Sequence, residues 1–579
     1  MERRVLLAIF LSFLVLWGYQ ALLPKPAPKP ASSVTGAAAA AAPGAPGGTI
    51  ALNPTVPPRA PAAMAPAVLG GPGERDVRVE TRDVIAVFTN RGARLKSWRL
   101  KHFFDQDKQP LELIANELAD TQPLPFSLRV SDDAVTTALN SGLYAVTQEP
   151  AGDAASAGPS DLRFEYRDSA GVHAIKEFHF EPTSYIVAFR DVVTQGDKTL
   201  TPAIQWGPAV GDAVTEVNRF TVKAEGIYET GGKISRLAPK DIAKQPMIES
   251  DFRYAGVDDQ YFMTVAIAPA QSRVTYQAIS IPPPAGSKDA PRDLIAYAVE
   301  PARPGGAAAA PLKFFVGPKD FDVLFAIDHD FVRTINFGMF SVLVVPLLRS
   351  LKWINAYVGN YGWSIILLTV IINAFMFPLR HKSVVSMRKM QEIQPQVKAI
   401  QDRYAKFKAT DPEKQKMNQE LMALYKERGV NPASGCVPML LTMPVLFAFY
   451  ALLSTAIELR GAPFVGWIHD LSLHDPLYIT PVLMGISQLW QQRITPAVGA
   501  DPAQQKTMML MPVVFTFMFL WAPAGVALYW LMANLWGIGQ QYLTNYMIGP
   551  PKVLNVRPPA ERQMKRVGGG KTDAAAREN

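Results

Sequence analysis

Residues 361–379, YGWSIILLTVIINAFMFPL, constrain the chain more than any other stretch. An apolar run of this length crosses a bilayer as a helix, which needs about 20 residues. Two polar residues lie inside it, Thr369 and Asn373. They are four apart, so they share one face of the helix. A polar, mostly basic segment follows at once. Four more apolar stretches come after it, at 437–457, 478–490, 507–521 and 525–543.

The 579 residues are too many for one ordinary domain. The long apolar runs are concentrated in the C-terminal part, so the sequence predicts a soluble half and a membrane half. Glu2-Arg3-Arg4 precedes an apolar run to Leu23. That run exceeds the ~7–15-residue core of a cleaved signal peptide. Residues 1–23 are therefore expected to be a retained transmembrane anchor with its arginines in the cytoplasm. Residues 24–73 are dominated by Pro, Ala and Gly and can bury no core, which predicts a tether. Cys436 is the single cysteine, so no intramolecular disulfide helps the soluble half to fold. At roughly 250 residues it is large enough to fold on its core alone.

From 74 to 330 the pattern is one of short alternating strands. DVRVETRDVIAVFTN alternates, and Asn90-Arg91-Gly92 offers a turn before ARLKSWRL. SYIVAFRDVV and RVTYQAISI read the same way. A large antiparallel all-β sandwich is expected. In HAIKEFHFEP, Glu177, His179 and Glu181 alternate, a pattern that can hold a metal. A solvated strand face is the commoner outcome of that pattern and is expected here.

Residues 331–353 are apolar but flanked by Arg333, Arg349 and Lys352 and interrupted by Pro346. This predicts an interfacial helix lying along the membrane. A crossing there would place the basic segment after Leu379 on the outer side. The second membrane helix is expected at 354–379. Residues 380–431 carry twelve Lys/Arg against six Asp/Glu, and apolar Val384, Met387, Met390, Ile393, Val397 and Ile400 recur at helical spacing. Thr410-Asp411-Pro412-Glu413 reads as a second helix start, and Gly429 as its end. The segment is thus a basic helical hairpin whose methionines are expected in the seam between its helices. Further spans are expected at 432–458, 476–493, 507–522 and 523–545, joined by an outer loop at 459–475 and a cytoplasmic loop at 494–506. The tail at 546–579 is basic from Pro550 on, with seven Lys/Arg and three Asp/Glu. Six spans that start inside put the hairpin, the 494–506 loop and the tail in the cytoplasm, and the β domain outside.

The spans contain almost no ionisable residue. Proton-coupled transporters usually place such groups near the midplane, so their absence counts against a pump. Uncharged polarity remains: Thr369, Asn373, Thr442, Gln488, Asn534 and, beside Asn534, the aromatic pair Tyr529 and Trp530. Such residues form either helix–helix hydrogen bonds or a shared hydrated surface. Met508, Met509, Met511 and Met518 suit either a surface for varied apolar partners or a lipid-facing one. There is no G-x-x-x-x-G-K-[ST] loop for ATP, and neither metal nor cofactor is expected.

The C-terminal half resembles the YidC/Oxa family of membrane protein insertases. The segments that carry the resemblance are MFPL, ALYKERGVNP, SGCVPML, MPVLFAFY, ELRGAPFVGWIHDLSLHDPLY, DPAQQKTMMLMPVVFTFMFLW and PAGVALYWLMANL. They run nearly continuously from 361 to 543. The anchor and large domain ahead of them resemble the form found in Gram-negative bacteria. The resemblance implies an α-helical membrane core, a five-helix insertase bundle plus the N-terminal anchor helix, with a large all-β periplasmic supersandwich domain. It implies a hydrophilic groove that takes nascent membrane segments and releases them into lipid. The family's groove positions fall on Thr369 and Asn373, and its substrate-contacting aromatic pair on Tyr529 and Trp530. The family usually has an arginine where this chain has Asn373. Arg380, seven residues and about 10 Å further along, is expected to supply positive potential at the groove entrance. Implied partners are nascent membrane proteins, the ribosome, the signal-recognition pathway and the Sec translocon. The basic hairpin and tail also suit anionic lipids, and no specific DNA is expected. The implied place is the bacterial inner membrane, with both termini cytoplasmic. Two other readings stay open on the residues alone. One is a small-solute transporter or channel, which predicts an enclosed midplane site. The other is an outer-face enzyme or sugar-binding domain on an anchor, which predicts a convergent set within 74–330.

Overall fold

The computed structural model describes residues 67–105, 107–148, 160–208, 223–281, 292–302, 310–407, 411–430, 437–495 and 502–549. The expected anchor at 1–23, most of the tether, the middle of the 494–506 loop (496–501) and the tail beyond 549 lie outside them.

The first half is built as its alternation dictates. A 14-stranded antiparallel sheet and a four-stranded sheet pack face to face. The strand Val172–Phe180 turns Val172, Ala174, Lys176, Phe178 and Phe180 inward. The strand Ile186–Gln195 pairs with it in register, Phe189 opposite Phe178. Phe88 and Phe126, from the smaller sheet and the segment after it, meet Phe178 at ring distances of 4.6 and 5.1 Å. Trp98 ties the sheets by donating its Nε1–H to the carbonyl of Val316 at 3.0 Å. Asn90-Arg91-Gly92 forms the expected turn, with Gly92 at a φ of +70° that disfavours a side chain. Among the described residues, three short α-helices complete the domain: α1 Asp133–Ser141, α2 Pro239–Ile242 and α3 Phe321–Ile327.

Glu177 and His179 lie on the outward strand face. Glu177 pairs with Arg163 at 3.2 Å and Arg190 at 3.4 Å, and His179 with Asp161 at 2.7 Å. They line an open concavity of about 520 Å³ together with Glu181 and Lys313. Among the described residues no cluster of His, Cys, Asp or Glu has the makings of a metal site. The outward face is therefore ion-paired and solvated.

The second half is helical. Helix α4, Ser341–Val358, follows two 3₁₀ turns and buries Val344, Leu348, Leu351 and Ile354 along one stripe. Helix α5 starts at Tyr361 and is capped by Asn360, whose side chain accepts from the Trp363 N–H at 3.2 Å. Its end differs from the sequence expectation at Leu379: α5 runs on to Glu392. Pro378 removes a single N–H donor from the ladder, and a helix packed against neighbours absorbs that loss. By length and apolar composition, both Gly338–Val358 and α5 could cross a membrane.

The hairpin consists of the end of α5 with α6 Gln394–Arg403 and α7 Pro412–Glu427. Met390, Ile393, Val397 and Ile400 pack against Leu424 and Val430, with Met417 beside them. Asp411 stands at the start of α7 but makes no side-chain cap bond; Pro412 sets that start. The bundle is completed by α8 Val437–Thr455, α9 Ile479–Ile494, α10 Pro502–Phe519 and α11 Ala524–Ile548. Helix α11 packs against α5, α8 and α9.

The two halves are joined by specific contacts. Lys352 on α4 binds Asp322 at 2.5 Å and Glu458 at 3.2 Å. Gln260 donates to the Ser454 carbonyl at 2.7 Å, and Arg460 to the Phe104 carbonyl at 3.2 Å. These bonds hold the β domain at one end of the bundle, beside the end of α8.

Candidate substrate groove

Helix α5 is inside out by the standards of a water-soluble protein. Trp363, Leu367, Ile371 and Phe375 form an exposed apolar stripe, Phe375 being 86% exposed. Thr369 and Asn373 are buried on another face, with Ile365 and Leu368. Apolar outward and polar inward is the arrangement a lipid solvent favours. Both polar side chains bond to their own helix: Thr369 Oγ1 donates to the Ile365 carbonyl at 2.6 Å, and Asn373 Nδ2 to the Thr369 carbonyl at 2.8 Å.

The other expected groove residues part company. Asn534 ties two helices, its Nδ2 donating to the Met484 carbonyl at 3.2 Å and to Ser487 Oγ at 3.1 Å. Tyr529 stacks on Phe449 of α8 with ring centroids 4.4 Å apart and planes 6° apart. Trp530 instead packs on Phe515 and Phe519 of α10, at 5.6 and 5.0 Å. Successive helical residues point about 100° apart, so an adjacent pair cannot line one narrow surface. Gln488 keeps a buried Oε1 without a hydrogen-bond partner among the described residues. Thr442 belongs to α8, and its side chain falls outside the described residues. Met509, Met511 and Met518 are exposed on α10.

Arg380 is half-buried and, among the described residues, has no ion-pair or hydrogen-bond partner. Its charge is within electrostatic range of the Tyr529 hydroxyl. Side chains on a helix lean toward its N-terminus. From position 380 that direction is back along α5 toward Asn373, not out toward the hairpin.

Sequence reasoning missed three polar positions. Arg388 joins the base of the hairpin to the end of α11, donating to Asn545 Oδ1 at 2.6 Å and to the Gly549 carbonyl. Trp536 Nε1 and both amide atoms of Gln540 are buried on α11 with no partner among the described residues. Spacing could have found the last two: 529, 536 and 540 fall on one face of a helix.

A β sandwich fixed to one end of an apolar-surfaced, polar-centred helical bundle defines a multi-pass membrane protein with a large domain beside the bilayer. Two family models divide the chain between them. The YidC periplasmic domain matches residues 76–350, and the 60Kd inner membrane protein family matches residues 353–550. The membrane protein insertase YidC of Geobacter metallireducens is 35% identical over 559 residues, covering 95% of this chain and 99% of that protein. That of Geotalea daltonii is 34% identical over 558 residues, covering 94% and 99%. A crystal structure described as active YidC insertase with its first transmembrane domain resolved aligns over 84% of this chain and 95% of that one. Its sequence identity is 17% and its TM-score 0.33. The chain belongs to the YidC family of membrane protein insertases. This is a family of inner-membrane proteins named for insertion and not for a catalysed reaction.

Proposed function

We propose that this protein accepts nascent membrane segments in a polar groove lined by α5 and α11 and releases them sideways into lipid. The observation that carries the proposal is Arg380, a half-buried cation that meets no acceptor among the described residues and lies in range of Tyr529. A cation withdrawn from water without a partner costs free energy. That cost is offset when an acidic or polar segment passes beside it. Thr369 and Asn373 add polarity above it, Gln488, Tyr529 and Trp530 belong to the surrounding walls, and Asn534 ties α11 to α9 behind them. Thr442 is assigned to the groove from its sequence position.

The mechanism needs no covalent step. A polar stretch that crosses hydrocarbon loses its hydrogen bonds to water, at several kcal/mol per unsatisfied backbone group. A wet, half-open groove shortens that dry path. The apolar segment that follows then partitions into lipid by its own hydrophobicity. In the working orientation the β domain is periplasmic, and both termini and the basic hairpin are cytoplasmic. Helix α4 lies along the outer interface, with its exposed residues Val342, Trp353 and Tyr357 toward lipid. The +6 hairpin suits a ribosome bearing a nascent chain, as well as anionic lipid. Work alone or beside the Sec translocon, and receipt of chains from the signal-recognition pathway, fit the same arrangement.

The test is insertion by the purified full-length protein in vesicles, with a substrate whose translocated tail is acidic. Arg380→Ala should slow insertion about tenfold, the scale of one charge-assisted hydrogen bond, and Asn373→Ala should slow it less. If both variants insert the acidic-tailed substrate at the wild-type rate, the groove charge has no role and the proposal fails.

A further inference from the structure

We propose that Gln540 and Trp536 form a binding position for the unpaired backbone of the entering chain, in the half of the groove away from the β domain. The inference rests on the groove reading above and names what that part of the wall recognises. Gln540 is 7% exposed, yet among the described residues neither its amide nitrogen nor its amide oxygen has a partner. The indole Nε1 of Trp536, one helical turn earlier, is buried and has no partner among them either.

Their place on α11 fixes where they face. A Cβ on Gly525 would lie 3.5 Å from Ile365 of α5. Near the other end, Thr544 meets Nδ1 of His381 of α5 at 3.4 Å. These two contacts make α5 and α11 run parallel and mark the side of α11 that faces α5. At about 100° per residue, Trp536 and Gln540 fall within about 60° of Gly525, on the arc between Gly525 and Thr544. One turn back from the Thr544–His381 pair brings Gln540 level with Phe377, next to the stretch that carries Arg380. Tyr529 lies on the same arc, about 16 Å further toward the β domain.

The chemistry of the two groups selects the ligand. A carboxamide offers a donor and an acceptor side by side, as a peptide group does. It can accept from one N–H and donate to one C=O of an extended chain, whatever side chains that chain carries. An indole N–H can only donate, and so meets a carbonyl. A segment not yet helical brings bare N–H and C=O groups that hydrocarbon cannot satisfy. A charge at 540 would sort substrates by sign, and an amide does not. Arg380 then gives preference for acidic segments, while Gln540 and Trp536 serve any sequence.

The experiment uses full-length protein in vesicles of phosphatidylethanolamine and phosphatidylglycerol. The substrate is a single-span protein with a long, uncharged, polar translocated segment. Gln540→Met keeps the shape and removes both hydrogen-bonding atoms; Trp536→Phe keeps an aromatic ring and removes the N–H. Insertion should slow about fivefold in Gln540→Met and about twofold in Trp536→Phe. The melting temperature should hold or rise in Gln540→Met, because an unpaired buried amide has gone. Wild-type insertion rates in both variants would overturn the inference. So would a fall in melting temperature in Gln540→Met, which would mean that the amide is paired within the fold. If the wild type itself inserts nothing, the groove reading falls and this inference with it.

Discussion

Lys176 and Arg380 are both cations withdrawn from water, and the two halves of the chain treat them in opposite ways. Lys176 is fully buried on an inward position of its strand. Its ammonium donates to the carbonyls of Gly92 at 2.6 Å and Phe126 at 2.7 Å, and more weakly to Ala93 at 3.4 Å. The ring of Tyr144 lies 5.7 Å from it. Burial pushes its pKa well below the usual lysine range. Every hydrogen of the ammonium nonetheless has a place to go, and the side chain pins the smaller sheet to the larger. Arg380 has no such set of acceptors among the described residues. Lys176 serves the fold and is satisfied by it. A cation left unsatisfied along a membrane groove is available to something that passes through.

That contrast breaks most readily at Lys176. Lys176→Met should strand three carbonyls in the core and cost about 3 kcal/mol of β-domain stability. Denaturant unfolding of the full chain in detergent, followed by tryptophan fluorescence, reads it. A Met variant as stable as wild type would mean that the ammonium is dispensable and the contrast empty.

A smaller effect is expected at Asp475, in the loop before α9. Burial alone would raise its pKa. Together, the Thr480 backbone N–H and hydroxyl, both at 2.7 Å, and one bond each from Leu477 and Trp467 outweigh this, so the net shift is downward. A carboxylate lowered in the folded state adds stability above its unfolded value near 3.8 and loses it as pH falls through the folded value. Melting temperature should therefore drop below pH 3.8 in wild type, and Asp475→Asn should flatten that part of the curve. The same acid slope in both proteins would show that Asp475 is not the group responsible.

The smallest effect sharpens the comparison inside the bundle. Asn534 is a polar residue whose donor is already used, so Asn534→Ala should cost about 0.6 kcal/mol of stability and leave insertion nearly unchanged. A large insertion defect at normal stability would move Asn534 from scaffold to groove.

What the sequence disclosed, it disclosed through period and punctuation. The β alternation around 172–195 and the start of α5 at Tyr361 both follow from local pattern. So does the seam of Met390, Ile393, Val397 and Ile400. Boundaries set by tertiary packing did not show: Pro378 reads as a stop, yet α5 passes through it to Glu392. The groove was legible in residue type but not in direction. Tyr529 and Trp530 are neighbours in sequence and face different helices. Gln540 reads as the polar flank of an apolar stretch until its burial is known. Lys176 reads as part of a charged strand and is instead inward, because its neighbours Ala174 and Phe178 fix the phase of the alternation.

The most direct test of the groove is site-specific photocrosslinking. A photoreactive residue is placed in turn at Thr369, Asn373 and Gln540, with Phe375 on the exposed stripe of α5 as the control. The full-length protein is presented with a ribosome that carries a stalled short membrane protein. The account predicts crosslinks to the nascent chain from the three buried positions and none from Phe375. Crosslinks from Phe375 alone, or from no position while the ribosome is demonstrably docked, would contradict it. The polar residues would then only hold helices together.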